Sequence, residues 1–304
     1  RITAEELQDQ LRIARQKLMA VRTKRIRPLL DNKVLTSWNA LMISAFARAA
    51  RVFGDSAFEK TAERAASFIF KNLKDESGRL LRRWCDGEAR YQAYLCDYAQ
   101  MVMACLDLYE TTYDTDWFRK GCELSNEIKR LFRNENGPFY DTGTDGEVLL
   151  TRNAEGYDGV EPSGNSSVAN AFLRLNSYGM GSEYFEDAQR IFRCFSPMIN
   201  QAGVSFCSML SGLHFSLSEP KEVVISGRRG DAETEALLAE VRREFHPNTV
   251  TAYLEDGHSK LSEEIIPLTS GRPMLNGRAT AYVCQNQTCQ LPVHTVEELR
   301  ELLD

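Results

Sequence analysis

Histidine is scarce in this chain, with four in 304 residues, and tryptophan is scarcer, with three. No HExxH, P-loop, GxSxG or GxGxxG signature occurs. Zinc-peptidase, phosphate-cradling, serine-elbow and dinucleotide chemistry therefore have no motif to rest on, and no cofactor or metal is expected. No apolar run approaches the roughly 18 residues that cross a bilayer. Basic charge is in deficit: 37 Lys and Arg face 43 Asp and Glu, for a net charge of −6. That balance argues against nucleic acid or an anionic membrane as partner, since either favours a basic face. The basic run Arg22 to Arg27 is short and reads as a solvated helix end.

Cysteine is present without a framework. Cys85, Cys96, Cys105, Cys122, Cys194 and Cys207 are scattered, mostly in helical segments, the pattern of buried thiols in a reducing, cytoplasmic compartment. Cys284 and Cys289 are spaced too widely for a redox CxxC and have no second pair for zinc, so they read as a structural thiol pair. The chain begins at Arg1 and enters a helical pattern within a few residues, so it reads as a portion of a longer protein.

What is there is helix. Residues 4–22 carry one apolar stripe, Leu7, Leu11, Ala14 and Leu18. Pro28 and Asp31–Asn32 break it, and Thr36 or Ser37 is placed to cap a helix striped Met42, Phe46, Ala49 and Phe53. Gly54 ends that helix and Asp55 caps a partner striped Phe58, Ala62, Ala65 and Ile69. The unit recurs twice. Tyr94 to Tyr109 precede a helix with Trp117, Leu124, Ile128 and Leu131, and a third pair covers about 165–178 and 183–199. Phe58, Phe118 and Phe185 open the three second helices, each followed three residues on by a small side chain (Thr61, Gly121, Ala188) and ten on by an apolar one (Phe68, Ile128, Phe195). This is a packing repeat of helix hairpins.

The connections between pairs, 74–92 and 133–164, are long and hold strand-like pieces at Leu80–Trp84, Pro138–Asp141 and Glu147–Leu150. They leave from one end of the array, where a site is expected to assemble. After a helix near 205–217, Pro220 changes the period. Glu222–Ser226 and Thr249–Leu254 read as strands around a helix at 231–244, and Thr280–Cys284 and a helix near 295–303 follow. The expected architecture is mainly α, a partial (α/α)6 toroid over 1–219 with a small parallel α/β annex over 220–304.

Three groups are candidates for chemistry. The loop Tyr157 to Ser166 places Asp158 and Glu161 three residues apart, held by Gly and Pro before a helix. They read either as an acid–base or sugar-hydroxyl pair or as helix capping by Ser163 or Asn165 with Glu161 favouring the positive helix end. Asp97, beside Tyr98, faces a central cavity or complements its own helix dipole. Arg82, Arg83, Trp84 and Arg152 lie in the long loops, and Trp38 and Asn39 start an inner helix at the same end. Arginine beside Trp pairs with carboxylates or phosphates and stacks on sugars, though surface ion pairs are its commoner fate. Of the histidines only His214 lies on a hairpin helix; His246, His258 and His294 fall in the annex, and a lone histidine is more often structural than catalytic.

These residues carry a resemblance. Asp31–Leu41 (DNKVLTSWNAL), Leu95–Ala99 (LCDYA), Phe139–Thr142 (FYDT), Gly156–Ser166 (GYDGVEPSGNS), Glu222–Gly227 (EVVISG) and Thr280–Pro292 (TAYVCQNQTCQLP) are similar to the YyaL-like family, which includes the spermatogenesis-associated thioredoxin-domain proteins. The resemblance runs from about residue 10 to the end and implies an N-terminal thioredoxin-like domain and opening helix pairs elsewhere in the same protein. It also implies a six-hairpin toroid like those of N-acylglucosamine 2-epimerases and six-hairpin glycosidases. The family pattern carries over onto Trp38, Asn39, Asp97, Tyr98, Asp141, Asp158, Glu161, Ser163, Gly164 and Asn165. Cys96 stands where the family usually has an acidic residue, and no histidine pair matches the proton-transfer pair of the epimerases.

The expected function is a carbohydrate-active toroid, hydrolase or isomerase in type, acting on a sugar-like small molecule. Asp97, Asp158 and Glu161 would be its acid, base or hydroxyl-binding groups, and Trp38, Asn39, Arg83, Tyr98, Tyr140, Arg152 and Asn165 would shape the site. The alternative is a non-catalytic helical scaffold serving the thioredoxin-like domain. A cavity lined by carboxylates and aromatics favours the first, and a collapsed centre the second.

Overall fold

A computed structural model describes residues 2–147, 149–257, 263–286 and 288–303. The chain divides into two compact units, Arg1–Lys33 and Val34–Asp304. The first is a helix, α1 (Ala4–Arg22), opened by a capping box in which Thr3 and Glu6 satisfy each other's backbone N–H. None of its residues is buried, so the Leu7, Leu11 and Leu18 stripe lies open.

The second unit is built from hairpins. A two-residue strand β1 (Val34–Leu35) leads into α2 (Thr36–Phe53) and α3 (Ser56–Asn72); strands β2 (Leu81–Cys85) and β3 (Glu88–Gln92) follow. Then come α4 (Leu95–Thr112) with α5 (Thr115–Phe132), α6 (Gly164–Ser177) with α7 (Ser182–Ala202), and α8 (Cys207–Leu217). The helices α2, α4, α6 and α8 pack side by side in that order, while α3, α5 and α7 lie outside their partners. This is the inner and outer layering of a partial α/α toroid. Its centre is α4, buried along nearly its whole length because it has α2, α5 and α6 as neighbours. Phe118 is fully buried and meets Tyr109 and Tyr178 edge-on at centroid distances of 5.3 and 5.0 Å, an arrangement aromatic quadrupoles favour. Gly121 lets α5 close on α4, since a Cβ there would lie 3.3 Å from that of Cys105.

The repeat holds with two corrections. Phe58 is half-buried and Phe185 is 38% exposed; on α7 the anchor is Tyr184, 3% exposed, with its ring 4.9 Å from that of Phe172. On α2 the buried face is Ala40, Ile43, Ala47 and Ala50, whereas Met42 and Phe53 are exposed. The large residues lie to one side, where the rings of Phe46 and Phe53 meet that of Phe58, and small residues form the buried face, where close approach to a neighbouring helix is needed. Asp55 and Gly54 act as expected. Leu35, not Thr36 or Ser37, is the N-cap of α2, because the Thr36 hydroxyl donates to Leu81 O at 2.6 Å and Ser37 N–H donates to Asp97.

In the long connections β2 forms near the expected place and pairs with β1 and β3, all antiparallel. No strand forms at Pro138–Asp141 or among the described residues of 147–150; Val148 lies outside them. Both connections meet at the N-terminal ends of the inner helices: Leu95 N–H donates to Asp141 O at 2.9 Å, and Arg79 pairs with Asp145 at 2.9 Å.

Beyond Pro220 lie β4 (Lys221–Gly227), α9 (Ala232–Arg243), β5 (Thr249–Glu255), β6 (Thr280–Gln285), β7 (Thr288–Cys289) and α10 (Val296–Leu303). The sheet order is β5-β4-β6-β7. Only β4 and β5 are parallel, as a strand–helix–strand crossover requires; β6 runs antiparallel to β4, so the annex sheet is mixed rather than parallel. It seats on the C-terminal ends of α4 and α6. Tyr253 N–H donates to the Tyr109 hydroxyl at 3.3 Å, the Tyr178 hydroxyl donates to Thr251 O at 3.2 Å, and Leu268 N–H donates to Tyr178 O at 3.0 Å. Cys284 and Cys289 face each other across β6 and β7 and form a disulfide. Of the other cysteines only Cys105 is buried, and Cys207 is exposed, so the expectation of buried thiols fails for most of them.

Candidate functional site

The inner helices present two ends. At the N-terminal end sit the residues expected to act. Asp97, fully buried on the first turn of α4, accepts Ser37 N–H at 3.0 Å on one oxygen, and Tyr94 N–H at 2.9 Å and Arg82 Nη1 at 3.0 Å on the other. Burial raises its pKa, against the opposing pull of Arg82 and the two N–H groups. Asp158 accepts Ser163 N–H at 2.9 Å on one oxygen, and on the other Ser208 and Met209 N–H at 2.8 and 3.0 Å. It thereby caps α8 and ties it to the start of α6.

Glu161 differs from both: among the described residues no hydrogen bond or ion pair engages it. The helix behind it is capped by Ser163, whose side chain accepts Ser166 N–H. Glu161 lies near Cys96, whose thiol is pushed up to about 11 by burial first and then by Asp97, with Glu161 adding in the same direction. Gly164 joins the two helix starts, since a Cβ there would lie 3.0 Å from Leu95 and 3.1 Å from Cys96 N.

The remaining expected residues are mostly held by structure. The buried Tyr98 hydroxyl accepts Leu80 N–H at 3.0 Å. Asn165 is fully buried and bonds Phe139 N–H, Phe139 O and Glu155 O, each at 2.9 Å. Asn39 donates to Leu35 O at 2.8 Å, and Arg152 donates to Leu131 O and Thr142 O with its guanidinium 4.2 Å above the Tyr140 ring. Trp38 is 60% exposed, and Arg83 stacks over Tyr91 at 5.2 Å.

A cavity lies at the other end, and none of these residues lines it. It measures about 740 Å³ and is bounded by the C-terminal halves of α2, α4 and α6, by α8, and by the α9–β5 connection. Asp97 and Asp107 stand ten residues apart on α4, roughly 15 Å along the helix. A volume of this size suits a small-molecule ligand.

One wall is a charge network across three helices. Asp107, 1% exposed, is gripped by Arg48 from α2 (Nε 2.9 Å, Nη2 3.3 Å) and Arg174 from α6 (2.9 Å), with Arg51 at 3.8 Å. Glu110, one turn on, meets Arg51 at 2.6 Å, Arg174 at 3.0 Å and the Tyr178 hydroxyl at 2.8 Å. Burial alone raises both carboxyls, but the surrounding guanidiniums outweigh it and hold both below the usual carboxylate range. Arg242 reaches from the annex to the last carbonyls of α4, Glu110 O at 3.3 Å and Thr111 O at 3.0 Å, stacked over Tyr113. This satisfies acceptors that a helix end leaves open.

The facing wall mixes apolar and hydrogen-bonding groups. Leu210, Ser211, His214 and Phe215 come from α8, and Phe245, His246 and Asn248 from the α9–β5 connection. Phe245 is 89% exposed. His214 is exposed, with the Ser218 hydroxyl 3.3 and 3.4 Å from its ring nitrogens. Two histidines that are 32 residues apart in sequence thus line one cavity, a pairing that neither position alone announced. His294 instead contacts Ala279 O at 2.9 Å, and His258 lies outside the described residues.

The sequence held a signal for this network. Arg48 and Arg51 repeat at i, i+3 on α2, and Asp107 and Glu110 repeat at the same spacing on α4, 59 residues later, matching the hairpin repeat. Opposite charges at equivalent positions of adjacent inner helices make an inter-helix ion pair the economical reading. No metal-binding cluster of His, Cys, Asp or Glu occurs among the described residues, and no helix among them is long and apolar enough to cross a membrane.

No protein-family model matches the chain. It is 30% identical to spermatogenesis-associated protein 20 of Homo sapiens over 99% of its own length and 40% of that protein. It is 31% identical to an uncharacterised protein of Caenorhabditis elegans over 100% of its own length and 42% of that one. The chain thus spans about two fifths of the length of the curated relatives it matches. Among solved structures it is similar to the cellobiose 2-epimerase of Bacillus thermoamylovorans, with a TM-score of 0.45 and 16% identity over 54% of this chain and 44% of that one. An α-1,6-mannanase of Salegentibacter matches with a TM-score of 0.44 and 16% identity, over 59% of this chain and 51% of that one. By its whole-length sequence match, the chain is similar to spermatogenesis-associated protein 20 and its relatives over the two fifths of those proteins that it spans.

Proposed function

We propose that the central cavity binds a sugar-like, hydroxylated small molecule and that the chemistry is of isomerase type. The observation that carries this reading is the presence of His214 and His246 on one 740 Å³ cavity whose walls also offer Arg48, Asn248 and the exposed ring of Phe245. Imidazole is the side chain suited to take and return a proton near neutral pH. One histidine would remove the proton from the carbon beside the carbonyl of an open-chain sugar, giving an enediolate. The other would return a proton to that carbon.

Glycoside hydrolysis fits less well. It asks for one protonated and one ionised carboxyl flanking the bond. Asp107 and Glu110 are both held ionised by arginine, and Asp97 and Asp158 have their oxygens occupied by N–H donors. Glu161 keeps the character of a hydroxyl-binding group at the N-terminal end, with the exposed Trp38 as a stacking surface.

The test is incubation of the protein with glucose, mannose, N-acetylglucosamine and cellobiose in D₂O, read by NMR at the carbon beside the carbonyl. Incorporation of deuterium into at least one sugar, reduced about 10²-fold or more by His214→Asn or His246→Asn, is the expected result. No incorporation and no binding of any sugar would leave the scaffold reading, in which the helices present partners to a thioredoxin-like domain.

A further inference from the structure

We infer that the ligand of the central cavity carries an anionic oxygen group, a carboxylate or a phosphate, and that Arg48 is its anchor. The inference rests on the sugar-binding reading for the body of the ligand but adds its charge. Four guanidiniums line the cavity, Arg48, Arg51, Arg174 and Arg242, against the two carboxylates Asp107 and Glu110. The third acidic residue of the lining, Glu244, is already matched by Arg243 at 2.6 Å. Arg242 faces the carbonyls at the end of α4, which offer only the partial charge of a helix terminus. The wall therefore holds a surplus of positive charge in a concave, partly desolvated place, where an anion gains most from charge-assisted hydrogen bonds.

The four arginines are not equivalent. Arg51 and Arg174 have side chains 22% and 11% exposed and are wedged between both carboxylates. Arg48 is 55% exposed. Asp107 engages its Nε and Nη2, which fixes the guanidinium plane and leaves Nη1 as a donor with no partner among the described residues. A pre-oriented, half-exposed guanidinium with a spare donor is suited to grip a carboxylate or phosphate oxygen with little further loss of side-chain freedom. Asp107 is then a positioning residue acting through Arg48. Phe215 and Leu210 on the facing wall, with Met103 one turn before Asp107 on α4, supply apolar surface for the rest of the molecule, so an organic anion is the better fit than a bare inorganic ion.

Calorimetric titration with glucose, glucuronate, glucose 6-phosphate and inorganic phosphate separates the possibilities. Glucuronate or glucose 6-phosphate should bind about tenfold or more tighter than glucose, and which of the two does so identifies the group. That preference should shrink as NaCl is raised and disappear in Arg48→Gln. The variant keeps Asp107 paired with Arg51 and Arg174, and its melting curve checks the fold. Arg242→Gln provides a second variant at the far side of the wall, with a smaller expected loss. Equal binding of glucose and both anions would overturn the charge assignment and leave the sugar reading standing. Binding of inorganic phosphate alone would sustain the anion site and sink the sugar reading, and failure of all four to bind would sink both.

Discussion

Arg174 and Asp107 are 67 residues apart in the chain and 2.9 Å apart in the fold. The same guanidinium reaches Glu110 at 3.0 Å, so one side chain of α6 closes both carboxylates of α4. Removing a partner from such a buried set leaves charge uncompensated, which costs about 3–5 kcal/mol. Asp107→Ala is expected to lose that much in urea unfolding, because Arg48, Arg51 and Arg174 all turn toward it. Arg48→Gln removes a half-exposed partner and should lose roughly 1 kcal/mol or less. Equal losses in the two variants would mean that burial does not set the strength of this network.

Acid should act through the same pair. Asp107 and Glu110 titrate below their unfolded values, so the stability they contribute is complete above about pH 5. It is lost as the pH falls through their depressed folded values. Asp97 works in the opposite sense: burial raises its pKa, so its contribution is present at low pH and is lost as the pH rises. The stability difference between the protein and Asp107→Asn should therefore narrow below about pH 5. A difference that stays constant from pH 7 to pH 2 would contradict the assignment.

Asp158 and Glu161, three residues apart, are expected to part company. Asp158→Ala removes the acceptor of three N–H groups, including two that start α8. It should cost about 1–2 kcal/mol as a lost cap and weaken ligand binding, since α8 carries His214 into the cavity. Glu161→Gln touches no hydrogen bond or ion pair among the described residues and should leave the melting temperature unchanged. If it also abolished ligand binding, the site would belong at the N-terminal ends of the inner helices instead.

Thiol labelling gives an independent reading of the cavity. Cys207 is exposed and lines it, whereas burial pushes Cys105 and Cys122 up to about 12 and Cys96 up to about 11, so these remain thiols near neutral pH. Iodoacetamide followed by peptide mass spectrometry should find Cys207 modified well before those three. A bound ligand should slow that modification. Unchanged labelling at saturating ligand would place the ligand elsewhere.

The hairpin architecture was legible because its signals are local and repeated: caps such as Asp55, the stop at Gly54, and the apolar stripe of α5. The face of α2 was misread because its large residues, Met42 and Phe53, turn outward while Ala40, Ala47 and Ala50 form the buried face; close packing, not hydrophobicity, selects the buried side. The carboxylates were found but their partners were not. Asp97 is held by Ser37, 60 residues away, and Asp158 by Ser208, 50 residues away, and no local pattern states such pairings. The cavity was missed for the same reason. Its histidines come from α8 and from a loop of the annex, and only the seating of the sheet on α4 and α6 brings them to one place.

A crystal structure of the protein soaked with the sugar or sugar anion that binds most tightly tests the central claim most directly. The account predicts ligand density in the cavity between α4 and α8, within hydrogen-bonding reach of Arg48 and at least one of His214 and His246. Density beside Glu161 and Trp38 at the opposite helix ends, with the cavity free of ligand, would contradict it.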